Sequence, residues 1–493
     1  MKNINYKTAA MLLFGVFVLL YSAFLADITS MSFDSLPYTY EIENNEVIFH
    51  PHHLFYHVFA LLWYKMLLLF GFGGSSFEKI ASLNIFFGAG GISVIFLMLQ
   101  QNFKLPILRA ALYASITGVS FGYWYFTESV EVYIIPLFFV LLALKFFFDE
   151  KPVVYVALAA GVAVLFHQVH CLFGLAIIIT LFFSDYDRQN KLRNITIFAG
   201  AYALIIIIPY AAVLWHLELG SIDDITYWLT LYHHEVNTWV EPHDKSIIKA
   251  GIGFFNSLLS PNGFFQIEVV TDWLVQLFPH LNMNDDKYLL RNYSHFTSSI
   301  YLSAVIVFGT IYLYLLGGTF LAIKKITIDK KAWLLIIFLI IYSIFFTFWD
   351  PTNPEFWIPQ ATLLWILIAI YRKDRGKYLE WMILAIVFAI NFFWAVLPSQ
   401  DINNDYHFAK VKSTDSIVGK EFVIVEYRWV TGIYFNRYSD LKPLIIKSDR
   451  SDTLSKYLDR SIISPNAYAL LPDTLSHDLI KISKNDFDWY IRK

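Results

Sequence analysis

Long apolar runs follow one another along this chain, and nothing else in the sequence limits its fold so strongly. An α-helix needs roughly 17–25 predominantly apolar residues to cross the hydrocarbon core of a bilayer. Runs of that kind lie near 8–25, 80–99, 105–121, 132–148, 195–215, 299–323, 332–348, 356–371 and 379–397. The stretch 153–183 is apolar throughout except for His167-Gln168-Val169-His170, and it reads as two short spans meeting at a polar elbow. Eleven spans are therefore expected. Composition agrees: 57% of residues are hydrophobic, 16% are charged, and the mean hydropathy is +0.52. A soluble chain of 493 residues could not bury that much apolar surface. The net charge of −3 offers no global field for a polyanion. The single cysteine, Cys171, excludes an intrachain disulfide and a Cys-based zinc site.

A twelfth apolar run, 54–71, contains Lys65, and the distribution of basic residues decides how to read it. If 54–71 lies along the membrane surface, the segments on the side of the N-terminus hold 17 basic residues, and the opposite loops before residue 398 hold six. That asymmetry places the N-terminus in the cytoplasm. If 54–71 crossed, every later basic loop would oppose the N-terminus. The run is therefore read as an interfacial or re-entrant helix. All 14 histidines then fall outside or at the outer ends of spans. The first apolar run follows Lys2 and Lys7 as a signal peptide would, but no small-residue cleavage site follows Leu25, and it is read as a retained span.

Three outer segments are substantial: 26–79, 216–298 and the C-terminal 398–493. The second carries a helix-like apolar piece, Ile247 to Leu259. The third has ordinary polarity and strand-like runs at Glu421–Tyr427 and Leu441–Lys447. The expected fold is thus an all-α polytopic membrane domain, 1–397, followed by a small α/β extracytoplasmic domain, 398–493. Gly-rich loops of the nucleotide-binding types are absent from the sequence.

Several outer constellations could carry chemistry. Asp34, between Phe33 and Leu36 just beyond the first span, could be a general base with a raised pKa or a capping aspartate. His50-Pro51-His52-His53, then His57, opens the interfacial helix. His53 and His57, at i and i+4, share a face and could bind a divalent metal, hydrogen-bond a phosphate, or form a headgroup-level belt. Glu128 and Glu131 follow Tyr123-Trp124-Tyr125-Phe126, and two carboxylates there are costly near a membrane unless paired or used. The four aromatics could themselves be an interface belt. His167 and His170 break an apolar run, which requires a water-lined or protein-buried setting. The Pro-rich 349–359 segment presents Asp350, Asn353 and Glu355 on a rigid turn, and Arg291 could clamp a phosphate.

Together, Phe33-Asp34-Ser35, His50-Pro51-His52-His53-Leu54-Phe55-Tyr56, Glu131-Val132-Tyr133 and the His167–His170 elbow resemble the motifs of the GT-C membrane glycosyltransferases. That superfamily includes the protein O-mannosyltransferases and the aminoarabinose transferases. The resemblance covers the first 185 residues best. It departs where His52 and His53 replace a Pro and a Gly, and in the spacing from Asp34 to His50.

The resemblance implies a GT-C fold and inverting transfer of a sugar from a polyprenyl-phosphate donor to a protein, lipid or glycan at the outer face of a bacterial inner membrane. It implies Asp34 as base and Glu131 as the acid that positions acceptor or donor, with Glu128 as the fallback. His50, His52, His53, His167, His170, Arg291, Asp350 and Glu355 are candidates for donor phosphate or substrate binding. A divalent metal, with His53 and His57 as candidate ligands, stays open as a cofactor. The alternative is a transporter or flippase for a lipid-linked sugar, which should carry charged residues within spans and repeated halves. Neither is evident in the sequence.

Overall fold

The computed structural model describes residues 5–28, 32, 34–184, 187–230, 239, 245–278, 283–293, 298–325, 330–372 and 377–414, and the C-terminal pieces 423–426, 429–438, 444–447, 461–463, 479–484 and 487–492. Phe33, His233, His234, His243, His280, His295 and His477 lie outside the described residues, as do the ends of both expected strand runs.

The chain is mainly helical. In order, the helices are α1 Tyr6–Ala23, α2 Ser35–Asn44, α3 Tyr56–Leu69, α4 Ser76–Leu97, α5 Ile107–Val119, α6 Phe121–Thr127, α7 Ile134–Phe148, α8 Val153–Phe166, α9 Cys171–Phe182 and α10 Arg188–His216. They continue with α11 Ile222–Leu229, α12 Ser246–Leu258, α13 Glu268–Leu277, α14 Asn284–Leu289, α15 Ser298–Lys325, α16 Lys330–Phe348, α17 Ile358–Tyr371, α18 Lys377–Asn391, α19 Tyr406–Thr414 and α20 Trp429–Tyr438. Among the described residues, seven helical segments are long and apolar enough to cross a membrane, and five shorter apolar helices include α3, α5, α7 and α8. Each apolar run of the sequence has a helix, and α3 occupies the run assigned to the interface. Its Lys65 is exposed.

Local chemistry sets the helix starts. Asn5 caps α1 by accepting from the Lys7 amide at 3.1 Å. Ser75 and Glu78 form a capping box at the start of α4, satisfying two backbone donors that the helix itself cannot. Asp187 caps α10 through the Asn190 amide at 2.9 Å. Between α8 and α9 the backbone of His167 is extended, and one 3-10 turn, Gln168–His170, follows. The long apolar stretch therefore divides at the elbow, as its polar residues led us to expect.

By compactness the chain forms two units: 1–25, 38–264 and 296–397 make the first, and 26–37, 265–295 and 398–493 make the second. Two earlier pieces of chain thus group with the C-terminal segment. In the first unit, Ile42, Tyr56, Ala60, Phe77, Ile80, Ala81, Val130, Val132, Ile135 and Phe166 belong to one buried cluster. This cluster ties α2, α3, α4, α7 and α8 to the loop between α6 and α7. Trp63 Nε1 donates to Ser82 Oγ at 2.8 Å, fastening α3 to α4. In the second unit, β1 Val423–Glu426, β2 Leu444–Lys447, β3 Ser461–Ile463, β4 Leu479–Lys484 and β5 Phe487–Arg492 form a sheet in the order β2-β1-β3-β5-β4. β1 runs parallel to β2 and β3, and β5 is antiparallel to β3 and β4.

The aromatic run does not form an interface belt. All seven residues of α6 are buried. Small residues of α4 make room for them: a Cβ on Gly88 would stand 2.5 Å from Thr127 Cγ2. The Tyr123 hydroxyl donates to the Gly88 carbonyl at 2.8 Å. The Tyr-Trp-Tyr-Phe sequence is packing that positions the acidic loop after it.

Candidate functional site

The acidic loop, residues 128–133, joins α6 to α7. Its two glutamates have different surroundings. Glu128 is fully buried, and its Oε1 accepts from Trp124 Nε1. Its Oε2 has no hydrogen-bond partner among the described residues. Burial pushes the Glu128 carboxyl well above the usual range, and the indole hydrogen bond only partly opposes that. Glu131 is also buried, and its carboxylate lies close enough to the Tyr56 hydroxyl to act on it electrostatically. The loop backbone is held from inside by Asn84 of α4. Its Nδ2 donates to the Ser129 and Glu131 carbonyls at 2.7 Å each and lies 3.5 Å from the Tyr56 hydroxyl.

On the other side the loop meets the segment before α17. The Tyr133 hydroxyl donates to Glu355 Oε1 at 2.7 Å, and Asn353 Nδ2 donates to the same oxygen at 2.8 Å. The Tyr133 ring also lies 5.6 Å from Phe356 and 5.4 Å from His167. Glu355 is therefore engaged with the second outer loop, 222 residues away in sequence. Asp350 sits in the left-handed region at φ 37°. Burial raises its carboxyl, while a hydrogen bond with Asn353 and the charge of Lys249 pull the other way.

The histidines gather beside this loop. His50 and His53 stack with ring centroids 4.0 Å apart and planes within 3°, and His53 and His57 stack at 5.0 Å. His57 Nε2 pairs with Glu41 at 3.0 Å, and His53 Nε2 lies 3.2 Å from the Tyr38 hydroxyl. His52 Nδ1 accepts from the Gln168 side chain, and its carbonyl accepts from the Gln168 amide at 2.8 Å. Thus Gln168 joins the His-Pro segment to the elbow. His170 Nδ1 meets the Tyr342 hydroxyl at 2.8 Å. Burial pushes the His50 imidazole down to about 3 and that of His52 to about 4, with repulsion from neighbouring histidines adding to it at His50. His53 and His167 are also lowered. Neutral imidazoles each offer one N–H, which suits hydrogen bonding to an anion, though without a full positive charge.

As metal ligands, His53 and His57 have each committed Nε2 elsewhere, and their Nδ1 atoms have no partner among the described residues. No group of three His, Cys, Asp or Glu residues among the described residues is arranged to hold an ion.

In the second unit, Asp34 is half-buried and occupies the turn immediately before α2, which the Ser35 amide closes by donating to the Ser32 carbonyl at 3.0 Å. Arg291 stacks over the Tyr288 ring at 3.9 Å and donates to the Asn403 carbonyl at 2.9 Å. The same unit holds a buried polar group that no sequence motif marks. Asp285 lies 3.7 Å from His407 Nε2, and Tyr434 donates to Asp405 at 2.7 Å. Burial and neighbouring Asp285 push Asp286 up to about 7.

The histidines and carboxylates of the first unit thus stand out in the sequence, whereas Asn84, Glu41 and Tyr38 do not. Asn84 carried a usable signal, a lone amide inside an apolar run. Glu41 and Tyr38 carried none.

Comparison with solved structures places this architecture. ArnT from Cupriavidus metallidurans bound to undecaprenyl phosphate superimposes with a TM-score of 0.55 at 13% identity, over 98% of this chain and 97% of that one. The apo form of the same protein gives 0.57 at 11% identity with the same coverage. The chain has the ArnT fold. The likeness is one of fold and runs along nearly the whole chain, beyond the first 185 residues that carry the sequence resemblance. No protein-family model and no curated sequence matches it.

Proposed function

We propose that this protein is an integral-membrane glycosyltransferase that transfers a sugar from a polyprenyl-phosphate donor to a protein, lipid or glycan acceptor. The observation that carries the reading is the ArnT fold over 98% of the chain, matched in a complex with undecaprenyl phosphate. The buried and half-buried polar groups around Glu131, Tyr133, Glu355 and the histidines support it, because such groups are costly beside a bilayer unless used.

In this proposal eleven helices span a bacterial inner membrane and α3 lies at its outer surface. The N-terminus is cytoplasmic, and residues 398–493 form an extracytoplasmic α/β domain. Transfer inverts the anomeric centre. Asp34 takes the proton of the acceptor hydroxyl or amine as that group attacks the anomeric carbon. The bond from the anomeric carbon to the phosphate oxygen breaks, and polyprenyl phosphate departs with the electron pair. Glu131 orients acceptor or donor. His50, His52, His53, His167, His170 and Arg291 are the available donors to the leaving phosphate. Glu128, buried with its indole partner, acts as an internal hydrogen-bonding group, and Glu355 acts through Tyr133.

The test is sugar transfer by purified, reconstituted protein from a panel of radiolabelled undecaprenyl-phosphate sugars, with cell-envelope extract as acceptor, beside Asp34→Asn. Label transferred by wild type and reduced at least about a hundredfold in the folded variant supports the reading. Equal transfer by both removes Asp34 from the mechanism. Labelled lipid crossing the bilayer without transfer would instead indicate a flippase.

A further inference from the structure

Among the buried polar groups of the first unit, Asn84 stands apart. It sits within α4, is fully buried, and projects from an otherwise apolar neighbourhood of Ile80, Ala81, Leu83 and Ile85. A lone amide in such a helix is expensive unless its hydrogen bonds are made. Its Nδ2 makes two at 2.7 Å, to the carbonyls of Ser129 and Glu131. Both partners can only accept, so the chemistry itself assigns the NH2 group to that side. Two loop carbonyls, two residues apart, are thereby fixed to a rigid helix, and the Glu131 side chain leaves the backbone beside the second of them.

We infer that Asn84 is a positioning residue that sets the Glu131 carboxylate for sugar transfer. This inference rests on the glycosyltransferase reading and on the role given there to Glu131. Glu131 has no helix or strand of its own to aim it: it lies in the loop between α6 and α7. What aims a loop carboxylate is the set of bonds on its backbone. The two from Asn84 hold it directly, and Tyr133, two residues on, is held by Glu355. Replacing Asn84 by Ala deletes both direct bonds, and the two carbonyls then turn towards other partners and carry Glu131 with them. A displacement of about 1 Å at a reacting group costs about a hundredfold in rate.

A double-mutant cycle separates positioning from general support of the fold. Wild type, Asn84→Ala, Glu131→Gln and the double variant are compared in the reconstituted transfer assay with radiolabelled undecaprenyl-phosphate sugars, each normalised to monodisperse protein. We expect Asn84→Ala to lower transfer about a hundredfold with Glu131 present, mainly in kcat. In the Glu131→Gln background the same change should alter transfer by less than about twofold, the margin within which independent effects add. Equal losses in both backgrounds would make Asn84 a structural residue and overturn the inference alone. Wild-type transfer by Glu131→Gln would overturn the role of Glu131 and the inference with it. Absence of transfer by wild type would overturn the glycosyltransferase reading on which both rest. If Asn84→Ala does not yield monodisperse protein, the near-isosteric Asn84→Leu, which has no donor for either carbonyl, takes its place in the cycle, and the same outcomes decide.

Discussion

Glu128 and Glu131 are three residues apart, and a substitution series at Glu128 tests whether their surroundings separate their roles. Glu128 is fully buried, its carboxyl is pushed up by desolvation, and one oxygen accepts from the Trp124 indole. Desolvation favours its protonated form, and glutamine is the closest mimic of that form. Glu128→Gln keeps an acceptor oxygen for the indole and places an NH2 where the acid had OH. We expect it to stay within about 1 kcal/mol of wild type, since its shape and its hydrogen bond survive. Glu128→Ala strands the indole N–H, at about 1–3 kcal/mol. It also opens a cavity like that of Met→Ala, at about 2–5 kcal/mol. Together they come to about 3–8 kcal/mol.

The pH dependence of stability has a definite sign. Below the ordinary glutamate value of 4.5, folded and unfolded chains both hold the proton. Above it the unfolded chain releases a proton that the folded chain keeps, so this stabilising contribution is lost as pH rises towards the raised folded pKa. A glutamine at this position has no proton to release, so the Glu128→Gln variant should gain on wild type as pH rises from about 5 towards that folded pKa. The assay is thermal unfolding of purified protein in detergent at several pH values, with transfer activity measured in parallel. If Glu128→Gln were as unstable as Glu128→Ala, or lost transfer to the extent expected of Asp34→Asn, Glu128 would have to be ionised, and its burial would not be what sets its protonation.

Three further outcomes follow from the geometry. Gly88→Ala should destabilise by about 1–3 kcal/mol, the range for overpacking, because its Cβ would meet Thr127 Cγ2 at 2.5 Å. Gly15→Ala, with nothing within 4 Å, should be neutral or slightly stabilising, and equal melting shifts for the two would refute the packing account. Tyr133→Phe removes the 2.7 Å bond to Glu355 and should cost about 1.5–3 kcal/mol if Glu355 is ionised, with reduced transfer; unchanged melting and activity would dismiss that latch. His50 and His52 are held to about 3 and about 4, below an unfolded value of 6.5, so stability should decline as pH falls from 6.5 towards those values. His50→Gln should flatten that decline in a pH series of melting temperatures.

The helices were legible because membrane crossing depends on the apolar length of one segment, a property each segment carries alone. The same is true of the elbow: His167 and Gln168 interrupt an apolar run, and the chain breaks there whatever packs against it. A helix within 54–71 was likewise readable from its apolar run, and it forms over Tyr56–Leu69. Partner choice was not readable. Glu128 meets Trp124 and Glu131 lies beside Tyr56, and the loop that carries both glutamates is held by Asn84 and Glu355, which lie far apart in sequence. The order of residues alone was enough to require apolar helices interrupted by polar segments. Which of those groups meet was settled by the folded chain, because burial and hydrogen bonding belong to pairs of distant residues, while hydropathy belongs to each residue alone.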